Sequence, residues 1–258
     1  MEKTMSYFTN NNKKSTFKNN KGDNTMNDHY FNLDIDVNNP APRCPVILLL
    51  DTSYSMQGAP IQELNRGVQQ FIRETAYDEV ASMSVELEII TFNSRADIVM
   101  PFTPIYNVDK NQKPLTVDGC TQMGEALDLA IKELDKRRKT YQNNGIQYFK
   151  PWVILMTDGK PTDAWQTPAA RIKEMAENKN ITYLGIEIGS EVDHEIMLQL
   201  MPNRNRMLAK LNQLEFKKFF RWLTKSLNTL SNSTLSDQDD LQFDDTSDWG
   251  TWDNLYKY

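Results

Sequence analysis

Asp51, Ser53 and Ser55 occupy alternate positions in the run Asp-Thr-Ser-Tyr-Ser, directly after the apolar stretch 46–50. Thr121 follows Asp118-Gly119-Cys120, and Asp158-Gly159 follows a second apolar stretch, 152–157. These five residues offer two carboxylates and three hydroxyls, with almost no nitrogen or sulfur donor nearby. An all-oxygen set suits a hard cation such as Mg2+, Mn2+ or Ca2+. Two carboxylates neutralise a dication only nominally, so the metal stays electrophilic toward one more oxygen. Alternate spacing aims Asp51, Ser53 and Ser55 at one point provided that their loop stays extended.

The elements that must hold these residues alternate in type. Continuous apolar runs at 46–51 and 152–157 predict strands buried on both faces. Segments 84–92, 96–102, 181–188 and 206–210 also read as strands, the second as the hairpin partner of the first through Asn93-Ser94 and the last as a short edge strand. Apolar residues at helical spacing predict helices over 59–77, 122–141, 168–178, 193–201 and 214–230, with Ser190 as a cap for the fourth. This alternation predicts an α/β fold: a doubly wound, mostly parallel central sheet, helices on both faces and one antiparallel edge strand. In such sheets ligands sit at the carboxyl ends of the strands, where all five oxygens fall. The expected organisation is a flexible arm and Pro-rich linker over 1–44, one domain over 45–230 and an acidic, aromatic-containing tail over 231–258. Within the arm, 29–37 alternates apolar and polar and reads as an edge strand or ordered arm.

The run DTSYS after an apolar strand, then GCT-x-x-GEAL, then VILMTDG, resembles the von Willebrand factor type A domain and its metal-ion-dependent adhesion site. The resemblance covers about 45–230, and Asp51, Ser53, Ser55, Thr121 and Asp158 match its ligand positions one by one. It implies a Rossmann-like fold in which Ser53, Ser55 and Thr121 coordinate directly. Asp51 and Asp158 then act largely through water, and a partner's Asp or Glu completes the shell. The TDGKPTD run and the small domain look closest to stand-alone bacterial members of tellurite-resistance and stress-response clusters. That implies a cytoplasmic adaptor whose partner is a kinase, a phosphatase or an AAA+ ATPase, in a stress, tellurite-resistance or phage-defence system.

Other chemistries fit less well. An aspartic-protease pair needs a second Asp-Thr-Ser-like half-site, and a dehalogenase-type phosphatase needs an acid where Ser53 stands. There is no phosphate-binding G-x-x-x-x-G-K-[ST] loop. The alternative that survives is a metal-assisted phosphoryl hydrolase using the same oxygens, although Lys160 is the only base in the three loops. His29 and His194 are the only histidines and read as surface residues. Cys44 and Cys120 allow one disulfide, which a reducing cytosol disfavours.

Of 258 residues, 29 are Lys or Arg and 35 are Asp or Glu. The net charge of −6 argues against direct nucleic-acid binding. The first 24 residues lack the apolar core of a signal peptide, and no apolar run is long enough to cross a bilayer. Residues 236–258 hold seven acids and one base, and so carry the whole net charge. Phe243, Trp249 and Trp252 stud this tail and suggest a motif that docks on a partner or reaches a neighbouring copy's metal. Around the metal, Tyr54, Met56, Asp163 and Trp165 are the expected partner-binding residues.

Overall fold

A computed structural model describes residues 35–190, 192–203, 207–238 and 245–252. Among these residues, seven strands form one sheet: β1 (Cys44–Asp51), β2 (Val85–Phe92), β3 (Ala96–Pro104), β4 (Trp152–Thr157), β5 (Thr182–Glu187), β6 (Met207–Leu211) and β7 (Gly250–Trp252). Their spatial order is β3-β2-β1-β4-β5-β6-β7. β1, β2, β4, β5 and β6 run parallel, while β3 pairs antiparallel with β2 and β7 antiparallel with β6. The strand order reverses between β1 and β4, which makes their carboxyl ends the topological switch point.

Among the described residues, six helices cover the sheet: α1 (Ala59–Tyr77), α2 (Ala81–Ser84), α3 (Met123–Asn143), α4 (Gln166–Glu177), α5 (His194–Leu200) and α6 (Phe216–Ser231). β1 is buried along its whole length, and its residues alternate between two cores. Val46, Leu48 and Leu50 meet Leu64 and Phe71 of α1 and Phe219 and Phe220 of α6. Ile47 and Leu49 face Leu127 and Leu134 of α3, Ile172 of α4 and Leu200 of α5. Burying one such side chain stabilises the fold by about 1.5–3 kcal/mol, so the two-sided apolar run fixes β1 at the centre. Its last residue, Asp51, is thereby held at the switch point.

Two expectations change. The cap of α5 is Asp193, whose Oδ1 accepts from the Ile196 amide at 3.2 Å; Ser190 lies too far ahead of the first turn. The 206–210 strand is not an edge, because β7 pairs outside it. The acidic tail is thus part of the sheet over residues 250–252. Trp249 is 1% exposed. Its ring packs edge-on against Phe219 and tilted against Trp222, with centroids 5.0 and 5.2 Å away. Trp252 is partly buried against Trp222. Neither ring projects freely toward a partner: the aromatic residues of 245–252 cover the outer end of α6. Phe243 and most of 29–37 lie outside the described residues, and 35–37 form no strand.

Candidate metal centre

β1 ends on Asp51 and leads into a tight loop. Ser53 keeps extended dihedrals, φ −67° and ψ 168°, and Tyr54–Met56 then close into a single 3-10 turn. The loop therefore does not stay extended as alternate spacing requires. The turn performs the same convergence, bringing the Ser55 hydroxyl to 2.9 Å from that of Ser53. Asp51 Oδ1 accepts from the Ser53 amide at 2.9 Å, and Asp51 Oδ2 from the Thr157 hydroxyl at 2.5 Å. Ser55 donates to Asp158 Oδ1 at 2.6 Å.

The third loop is tied to the first by its backbone. The Asp118 amide donates to the Thr52 carbonyl and the Tyr54 amide to the Gly119 carbonyl. Thr121 follows, 6% exposed, with its amide donating to the Thr162 hydroxyl and its carbonyl accepting from the Thr162 amide. Gly159 marks where the three loops meet. A Cβ added there lies 3.4 Å from Thr121 Oγ1, 3.7 Å from Ser55 Oγ and 3.8 Å from Asp51 Oδ2. One small volume beside this glycine is thus lined by oxygens from the other two loops, and Asp158 joins them through its bond from Ser55.

Asp163 belongs to this framework rather than to a displayed surface. Its Oδ1 accepts from the Gly124 amide at 3.0 Å and its Oδ2 from the Glu125 amide at 2.8 Å. These are amides of the first turn of α3, where a carboxylate supplies missing acceptors and opposes the positive end of the helix dipole. Gly124 permits the approach, since a Cβ there meets the Trp165 Cα at 2.7 Å. Met56 is fully buried and unavailable to a partner, because the 3-10 turn points it into the α1 core. Trp165 is half-buried against the α3–α4 core. Tyr54, 61% exposed, is the one of these four that stands clear beside the site.

Burial pushes the Asp51 carboxyl up to about 6, against the opposing hydrogen bonds from Ser53 and Thr157. Burial also raises Asp158, against the bond from Ser55. Among the described residues no Lys, Arg or His pairs with either acid. Lys160 is committed to Asp193 at 2.9 Å. His194 sets its Nδ1 2.6 Å from Glu187 Oε1, away from both acids. Two partly desolvated carboxylates without a built-in counter-ion, ringed by hydroxyls, form a cradle suited to a hard cation. No group of three or more His, Cys, Asp or Glu side chains gathers anywhere among the described residues, and this site itself has only two carboxylates beside its hydroxyls. Cys120 is exposed beside Thr121, while Cys44 is buried at the far end of β1, so both are free thiols.

The structure brings all five predicted oxygens together. Sequence reasoning missed Thr157, whose signal was a hydroxyl ending an otherwise apolar strand. Gly124 and the capping role of Asp163 carried no local signal, since their pairing joins residues about 39 apart.

A parallel switch-point sheet with this oxygen cluster defines the von Willebrand factor type A class. The model of that family, the von Willebrand factor type A domain, matches residues 46–221, and the chain belongs to it. No curated protein matches the sequence. Among solved structures, the pilus adhesin SpaC of Lactobacillus rhamnosus GG aligns at TM-score 0.59 and 13% identity, over 73% of this chain and 30% of SpaC. Proximal thread matrix protein 1 of the mussel byssus aligns at 0.51 and 20% identity, over 72% and 47%. Manganese-loaded TRAP of Plasmodium vivax aligns at 0.50 and 23%, over 69% and 71%. The chain thus spans about half the mussel protein and less than a third of SpaC. At these identities the likeness is one of fold.

Proposed function

We propose that this chain is a metal-dependent protein-interaction module that captures an acidic side chain of a protein partner. The observation that carries this reading is the convergence of Asp51, Ser53, Ser55, Thr121 and Asp158 on one volume with no Lys, Arg or His paired to either acid among the described residues. The donor set fits Mg2+, with Mn2+ and Ca2+ as further candidates. TRAP, of the same fold, was solved with manganese. When bound, the cation supplies an electrophilic position for a partner's carboxylate. The chain does the rest. The Ser53 amide and the Thr157 hydroxyl fix both oxygens of Asp51, Ser55 orients Asp158, and Asp163 locks the 158–163 loop onto α3 beside Thr121. Exposed Tyr54 flanks the site, and aromatic side chains of this kind often dominate binding energy at interfaces.

The finer assignment rests on family resemblance. It places the chain in the bacterial cytoplasm, with a kinase, phosphatase or AAA+ ATPase partner in a stress, tellurite-resistance or phage-defence system. None of the helices among the described residues is long and apolar enough to cross a membrane. The test is a pull-down from the source cell with and without EDTA, beside Asp51→Ala and Ser53→Ala. Loss of the same partner in all three conditions is expected. Binding that survives both chelation and mutation overturns the proposal. Phosphoester turnover abolished by the same variants favours a metal-assisted hydrolase instead.

A further inference from the structure

A cavity of about 660 Å³ lies beside the metal centre, on the α1 side of the sheet. Its floor is apolar: Val68 of α1, Ile89 of β2 and Met100 of β3. Its outer wall is a strap drawn from the segment 109–116. The Asn65 side chain ties the strap to α1 in the manner of a strand partner. Leu115 N donates to Asn65 Oδ1 at 2.7 Å, and Asn65 Nδ2 donates to the Leu115 carbonyl at 2.9 Å. Within the strap, Asp109 closes a turn by accepting from the Asn111 amide at 2.9 Å.

The polar groups on the sheet and α1 that face this space are neutral apart from Asp97, and two further charged residues of the lining, Asp109 and Lys113, are exposed on the strap. Thr91 is 6% exposed, lines the cavity, and its hydroxyl makes no hydrogen bond among the described residues. Gln69, half-buried one helical turn from Asn65, likewise has no hydrogen-bond partner there. Asn93 donates to the Thr52 hydroxyl, so its amide edge joins the cavity wall to the first metal loop. Asp97, at the rim, is paired with Arg95 at 2.6 Å. A buried hydroxyl without a partner is normally satisfied by water or ligand. An apolar floor with a few neutral hydrogen-bonding groups suits a side chain with a hydrophobic body and a polar tip, which describes tyrosine.

The cavity adjoins the metal centre through Thr52, which sits between Asp51 and Ser53, about 3.8 Å along the backbone from each. We propose that this cavity is a second recognition pocket for the same partner, receiving a neutral aromatic side chain, best a tyrosine, within a few residues of the metal-binding acid. The proposal deepens the metal-dependent reading and rests on it for the joint site. The pocket itself is defined by α1, β2, β3 and the strap.

Two probes on the full chain test it. The first is N-acetyltyrosinamide, followed through the side-chain amide resonances of Gln69 and Asn93. Shifts are expected in wild type, with Mg2+ or EDTA alike. They should vanish in Val99→Trp, which fills the mouth from a half-exposed position, and weaken in Gln69→Leu, which removes one hydrogen-bonding group. The same spectra report whether each variant is folded. The second is a set of blocked peptides with Tyr and Asp separated by one to four glycines, in both orders. In Mg2+ the best spacing is expected to bind at least about tenfold more tightly than its Tyr→Ala form. Val99→Trp should erase that advantage and leave the Tyr→Ala peptide unaffected. No shift with N-acetyltyrosinamide, or equal affinity of Tyr and Ala peptides at every spacing, overturns the pocket and leaves the metal reading intact. Peptide binding that ignores EDTA and Asp→Asn but still responds to Tyr→Ala and Val99→Trp overturns the metal reading and upholds the pocket.

Discussion

The two ends of the sheet each bury carboxylate, and they treat it in opposite ways. At the amino end, Glu86 of β2 is 1% exposed and is gripped by two arginines. Arg137 of α3 donates through Nε to Glu86 Oε2 at 2.7 Å, and Arg43 sets its Nε 3.4 Å from Oε1. The Tyr141 hydroxyl donates to the same carboxylate. At the carboxyl end, Asp51 and Asp158 receive only neutral hydroxyls and amides. A carboxylate whose counter-ions come from the chain itself is structural. A pair left without counter-ions creates a demand that only something from outside can meet. The contrast is stronger evidence for a binding site than either cluster alone, because one fold shows both solutions about one strand-length apart.

Breaking the amino-end cluster should have the largest effect on stability. Arg137→Met leaves Glu86 buried with a main partner removed, and a loss of about 3–5 kcal/mol is expected from denaturant unfolding. Replacing the cluster together, as Arg43→Met, Glu86→Leu and Arg137→Met, should recover most of that loss, since the uncompensated charge goes too. A triple variant as weak as the single one breaks the structural half of the comparison. The next effect belongs to the other end. Mg2+ at a hundred times its Kd should stabilise wild type by about 2.7 kcal/mol. Asp51→Asn should abolish that increment with little loss of stability in EDTA. If Mg2+ stabilises Asp51→Asn as much as wild type, the carboxyl end is not the cation's site.

The carboxyl end was largely legible in the sequence because its parts are local. Strands β1 and β4 announce themselves as unbroken apolar runs, and Asp51, Ser53, Ser55 and Asp158 follow directly. The amino end was not, because Glu86 lies inside a strand and its partners stand 43 residues before it and 51 after it. The surface residues were misjudged for the same reason. Met56 beside Ser53 and Ser55 and Asp163 beyond the TDG run look displayed in the chain, yet one fills the α1 core and the other caps α3. Trp249 has the composition of a docking tail, but the edge of β6 and the aromatic end of α6 give it a place within the domain. Spacing reports what an element presents. It does not report which distant element arrives to cover it.

Glu88 sharpens the comparison from between the two ends. It lies two residues beyond Glu86, 1% exposed, accepts from the Phe102 amide at 3.2 Å, and among the described residues has no arginine bonded to it. Burial, reinforced by nearby Glu133, pushes its carboxyl up to about 8. The folded state therefore keeps it protonated at neutral pH while the unfolded chain ionises from about 4.5 upward. Folded Glu88 binds the extra proton, so its contribution to stability falls as pH rises from about 4.5 to about 8 and is level beyond. The slope for one proton is at most about 1.4 kcal/mol per pH unit. Glu88→Gln removes it, and its stability advantage over wild type should grow between pH 5 and pH 8. Parallel pH profiles for the two proteins mean that folded Glu88 holds no extra proton.

The smallest effect tests how finely the carboxyl end is prepared. The Thr157 hydroxyl donates to Asp51 Oδ2 at 2.5 Å and accepts from the Gly159 amide at 3.1 Å. Thr157→Val keeps the shape of the side chain and deletes both bonds. Groups that orient metal-binding carboxylates typically contribute 10- to 100-fold in affinity, so Mg2+ affinity measured calorimetrically should fall by about tenfold. Stability in EDTA should change by less than about 3 kcal/mol, the usual net worth of two hydrogen bonds. Thr157→Ser, which retains the hydroxyl, should restore the affinity. If Ser fails to rescue, the loss comes from packing at the end of β4. The carboxyl end would then be held by its core in the same way as the amino end, and the orienting hydroxyl would not distinguish them.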